Sequence, residues 1–148
     1  MKKLITLSLA FIALASFTKS EEMSTKRMLD NSAINFETNL EIAKGKAKAE
    51  NKNIFVFAYA AWSGPCKRMM TTTFANEAVI SYLNTNYINV QMECENQDGK
   101  LSAEGQAFVT AYGIKNYPVV IVMDANGKMT KSSLSAKDDV QLLEFLKL

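Results

Sequence analysis

Few side chains in this 148-residue sequence can carry reactive chemistry. Histidine is absent, which removes the usual general base, the usual near-neutral switch and the commonest zinc ligand. Two cysteines remain, Cys66 and Cys94. They are too few for a disulfide scaffold, and their spacing matches no metal pattern. Cys66 closes the segment Trp62-Ser63-Gly64-Pro65-Cys66, which follows the apolar run from Ile54 to Tyr59. A short, continuous, β-rich run of this kind reads as a central strand covered on both faces. Ser63 is a candidate helix N-cap, with Gly64 and Pro65 supplying a tight entry and a residue tolerated in the first turn. Cys66 then falls inside the first turn, where unpaired N–H groups and the helix dipole favour thiolate.

The elements that must hold this loop can be read along the chain. Phe36, Leu40, Ala43, Ala47 and Ala49 recur at helical spacing and predict an amphipathic helix from Phe36 to Lys52, closed by Asn53. A helix is expected from Pro65 to Met70 and another stretch from Asn76 to Leu83. Tyr87 to Glu93 reads as a strand, which leaves Cys94 just beyond it. Ser102 to Tyr112 suits a helix that stops at Gly113, and Val119 to Met123 a β-branched strand. Ala125-Asn126-Gly127-Lys128 is a hairpin signal, with Met129 to Lys131 pairing back. A last helix spans Asp138 to Leu148, with Val140, Leu142, Leu143, Phe145 and Leu146 on one broad face. Strands alternating with helices describe a mixed α/β sandwich. Met69, Met70, Met92 and Met123 read as core filling, and Lys44, Lys46 and Lys48 as a solvated helix face.

The first residues form a different class of segment. Lys2 and Lys3 precede an apolar run from Leu4 to Phe17, with small residues at Ala13 and Ala15, the layout of a secretory signal peptide. The run is shorter than the roughly 20 apolar residues of a membrane span. The expected organisation is a leader over 1–15, a polar linker over 16–33 and one domain over 34–148. The whole chain carries 17 basic and 15 acidic residues. Cleavage after the leader removes two lysines and no acid, so the mature charge is near zero and no surface for nucleic acid is indicated. An exported product without a stable membrane anchor, periplasmic or extracellular, is expected.

The segment Ala60 to Lys67 resembles the active-site loop of the thioredoxin superfamily. Tyr112-Gly113-Ile114-Lys115-Asn116-Tyr117-Pro118-Val119-Val120 looks like the family's second landmark, a loop whose proline is cis and faces the redox motif. Asn126-Gly127-Lys128 resembles the hairpin turn that follows. The landmarks stand in order, so the resemblance covers roughly Phe36 to Leu148. The first helix, the apolar strand and Phe74-Ala75-Asn76-Glu77-Ala78-Val79 look most like exported bacterial thioredoxin-like proteins and disulfide-reductase carboxy-terminal domains. The fold implied is a thioredoxin fold, a mixed sheet of four to five strands flanked by helices.

The resemblance implies thiol–disulfide exchange without a cofactor or metal. In the family's cycle the motif's first cysteine attacks a client disulfide and the second resolves the mixed disulfide. Ser63 stands in the attacking position, and a serine hydroxyl neither ionises usefully near neutral pH nor forms a disulfide. Cys66 matches the resolving cysteine, so the motif is monothiol. Phe57 matches the position of the family's buried acid, and an apolar residue there discourages thiolate through desolvation. The site residues implied are Cys66 and Ser63, with Trp62, Gly64, Pro65, Tyr117 and Pro118 as a client-binding rim; Tyr59 is expected to pack in the core. Cys94 is either a second thiol near Cys66 or a small buried residue. The partners implied are client proteins or peptides and a redox partner protein. Two functions stand open: weak or atypical exchange through one thiol, and a non-catalytic binding module of chaperone or adaptor type.

Overall fold

The computed structural model describes residues 33–148, so the expected leader and all but the last residue of the expected linker lie outside it. The chain enters through a two-residue strand, β1 (Phe36–Glu37), followed by helix α1 (Leu40–Glu50) and strand β2 (Asn53–Ala60). Helix α2 (Gly64–Thr71) leads through a 3-10 turn (Thr73–Ala75) into α3 (Glu77–Asn86) and β3 (Tyr87–Glu95). Helix α4 (Ala103–Tyr112), the hairpin of β4 (Val119–Met123) and β5 (Met129–Ser133), and helix α5 (Asp139–Lys147) complete it. The five strands form one mixed sheet in the order β1-β3-β2-β4-β5. β1 and β2 run parallel to β3, whereas β4 is antiparallel to both β2 and β5. This is the mixed α/β sheet expected from the sequence. Among the described residues, no helix is long and apolar enough to cross a membrane.

Alternate residues of β2 feed opposite cores. Ile54, Val56 and Ala58 pack with α1 and α4, while Phe55 and Phe57 pack with α2, α3 and α5. Both faces are covered, which is why the run shows no polar alternation. Phe74, on the 3-10 turn, meets Phe57 edge-on at 4.8 Å and Phe36 at 5.6 Å.

The first expected helix is shorter than its periodicity suggests. Phe36 belongs to β1, in register with Asn89 of β3, and the helix begins only after Asn39, whose side chain accepts the Ile42 N–H at 3.0 Å. It ends at Asn51, which adopts φ 52° while Lys52 N–H returns to the Ala47 carbonyl, so Asn53 opens β2 rather than closing the helix. β3 runs two residues beyond Glu93 and takes in Cys94. On α5, Leu142 and Leu146 are buried but Val140 faces solvent, so the apolar face is narrower than expected. Met69, Met92 and Met123 are buried in the cores.

Candidate functional site

The carboxyl ends of β2 and β3 carry the motif loop and the loop after β3. Ser63 adopts an extended backbone and its Oγ accepts the Cys66 N–H at 3.4 Å, while Lys67 N–H bonds the Ser63 carbonyl. Ser63 is thus the N-cap of α2 that the sequence indicated. It is only 3% exposed, and Gly64 and Pro65 beyond it face solvent. Cys66 has no exposed surface and lies in the α2 core among Phe57, Met69 and Phe74. Phe57 fills its position with hydrocarbon, stacked on Tyr59 at 5.4 Å and 8°.

The Glu95 carboxylate joins the two halves of the rim. The Trp62 indole N–H donates to Glu95 Oε2 at 2.8 Å, and the Tyr117 phenol lies against the same carboxylate and the Cys94 thiol. Tyr117 packs against both cores, and its peptide bond to Pro118 is cis. Trp62, half exposed, and Tyr117 therefore stand on one edge of the sheet, whereas Pro118 is buried. Burial, with Cys94 and Glu95 nearby, raises the Tyr117 pKa. Behind them Lys67 Nζ donates to the Gln97 side chain at 3.3 Å, which fastens α2 to the loop after β3.

Cys94 occupies an irregular point of β3. Tyr59 pairs with Glu93 and Ala60 with Glu95, so Cys94 is the extra residue of a bulge. Its thiol turns into the α1 and α4 core, on the face opposite Cys66, and both cysteines are free. The structure does not pair them. Helix α4 sits so close over the bulge that a Cβ on Gly105 would collide with the Cys94 carbonyl oxygen and stand 3.0 Å from its Cα. Desolvation pushes the Cys94 thiol up to about 11, only partly offset by the Tyr117 hydroxyl. Tyr59, expected in the core, is half-buried and donates its hydroxyl to Glu93 Oε2 at 3.0 Å; burial and that carboxylate raise its pKa to about 12.

The family model described as thioredoxin-like matches residues 35–125, more than half of the chain. The chain belongs to the thioredoxin-like family. A candidate disulphide-isomerase of Bacteroides thetaiotaomicron shares 29% identity and a TM-score of 0.67, over 79% of this chain and 93% of its own. The oxidised carboxy-terminal domain of DsbD from Neisseria meningitidis shares 21% identity and a TM-score of 0.62, over 76% of this chain and 97% of its own. A DsbH oxidoreductase shares 17% identity and a TM-score of 0.65, over 78% and 83% respectively. No curated protein matches the sequence. At these identities the last two show the thioredoxin fold alone.

Sequence reasoning passed over Glu93 and Glu95, which hold Tyr59 and Trp62 of this thioredoxin-like site. The signal was present in the two acids that flank Cys94 where the apolar strand β3 reaches the motif edge. Among the described residues, no cluster of acidic and cysteine side chains suits a metal ion.

Proposed function

We propose that this thioredoxin-like chain is an exported protein of the cell envelope that takes part in thiol–disulfide exchange through one thiol, Cys66, at a rate far below that of a dithiol relative. The observation that carries the reading is the N-cap. Ser63 keeps the loop and helix terminus in working order while placing a hydroxyl where attack begins, and the remaining sulfur lies beneath it without exposed surface. Trp62 and Tyr117 offer an aromatic rim on which an extended client can lie, its backbone pairing beside the Pro118 loop. In the exchange step the Cys66 thiolate attacks one sulfur of a client disulfide. A Cys66–client disulfide forms and the other client sulfur leaves as thiolate. No second thiol of the motif resolves this adduct, so an external thiol or a redox partner protein must release it.

Export rests on the leader-like first residues, and the name of the Bacteroides relative accords with disulfide chemistry. A second reading, a client-binding module without exchange, is favoured by the complete burial of Cys66. Incubation with a disulfide-linked peptide, read by intact mass, separates the two. The exchange reading expects a slow one-to-one adduct in the parent and in Cys94→Ala, and none in Cys66→Ala. Peptide binding with no adduct in any variant would overturn it in favour of the binding module.

A further inference from the structure

The α2 face of the sheet ends in a residue that packs as core yet is tied to an exposed carboxylate. On this face β2 contributes Phe55 and Phe57, neither with exposed surface, and then Tyr59, the outermost and half-buried member. Two contacts fix the Tyr59 ring. It lies parallel to Phe57 at 5.4 Å, and its hydroxyl donates to Glu93 Oε2 at 3.0 Å. Glu93 is also the register partner of Tyr59 on β3, so the bond spans neighbouring strands at the motif edge. Glu93 is exposed and, among the described residues, has no ion-pair partner, which leaves its carboxylate to the phenol. Cys66 belongs to the same cluster and Cys94 to the opposite one, while a charge on either sulfur is felt at the Tyr59 hydroxyl.

We propose that Tyr59, tethered by Glu93, is a positioning residue that closes the outer end of the α2 core over Cys66 and sets how readily another sulfur reaches it. The proposal rests on the reading of Cys66 as the exchanging thiol. The tether works because each contact alone leaves the ring freedom: stacking on Phe57 permits it to slide outward, and only the hydroxyl bond stops that movement. Loss of the hydroxyl or of its acceptor opens a path to Cys66 without touching the Ser63 cap. Cys94 turns its thiol into the opposite core beneath α4 and meets Tyr59 through the main chain, not the ring, so its labelling serves as an internal control for movement of the ring alone.

The test is N-ethylmaleimide labelling of the full chain at neutral pH, with the rate at each cysteine read by peptide mapping. Tyr59→Phe and Glu93→Ala are expected to speed labelling of Cys66 about ten-fold, as loss of a hydrogen bond to a charged acceptor implies. Cys94 should keep its parental rate in both. Glu93→Gln retains a neutral carbonyl acceptor and should bring the Cys66 rate most of the way back to the parental value, a rescue that a general loss of packing would not give. An unchanged Cys66 rate, or a rise at both cysteines together, would overturn the tether. The client adduct is read separately. A working tether without an adduct would discredit exchange alone, and an adduct whose rate ignores Tyr59 would discredit the tether alone.

Discussion

By the resemblance to the thioredoxin superfamily, Ser63 and Phe57 stand where a dithiol member would carry its attacking cysteine and its buried acid, and each has a structural place of its own. Ser63 caps α2, and Phe57 completes an aromatic wall with Tyr59 and Phe74. Because Phe57 has no exposed surface, Phe57→Ala should cost about 3–5 kcal/mol of unfolding free energy in urea. A cost below 1 kcal/mol would show that the wall collapses around the gap. The Ser63 cap, the proline after it and the cysteine of the first turn were legible in the sequence, because each carries a local signal; the burial of Pro118, expected on the rim, was not. The bridges from Trp62 to Glu95 and from Tyr59 to Glu93 were not. They join residues about thirty positions apart, and only the parallel pairing of β2 with β3 sets them side by side.

At the scale of elements, the contact of α4 with β3 is the tightest restraint near the site. Gly105 lets the helix backbone approach the Cys94 bulge, and a methyl group there meets main chain, which cannot swing aside. Gly105→Ala should therefore destabilise the protein by about 1–3 kcal/mol in urea unfolding, despite the better intrinsic helix propensity of alanine. A neutral or stabilising result would mean that α4 shifts freely over the strand. The hairpin, the last helix and the central strands were readable from turn chemistry, caps and apolar runs. β1 was not, because two residues hold no period and Phe36 falls by chance in the helical spacing of α1. The bulge at Cys94 escaped for a related reason: an extra residue is defined by its partner strand, not by its own sequence.

Across the whole molecule, several buried groups hold their protons more tightly than in an unfolded chain. The Cys94 thiol moves from 9.0 to about 11 and Tyr59 from 10.0 to about 12, both raised first by desolvation; Tyr87 is raised as well. With raised folded pKa values, the neutral forms favour folding below the unfolded values. That stability is lost as pH climbs through the folded ones. Thermal melts should therefore be flat in these groups' contribution through pH 8 and fall progressively from about pH 9 to 12. Cys94→Ala should flatten the part of the fall between about 9 and 11. A fall in that interval as steep in the variant as in the parent would remove Cys94 from the cause.

The central claim is that the hydroxyl at position 63, more than the apolar Phe57, is what keeps this site from a dithiol cycle. Its most direct test is reduction of insulin disulfides by dithiothreitol, followed as turbidity, with parent, Ser63→Cys and Ser63→Cys/Cys66→Ala compared. The claim predicts acceleration by Ser63→Cys well above the parent, lost again in the double variant. A folded Ser63→Cys protein that accelerates the reaction no more than the parent would contradict it.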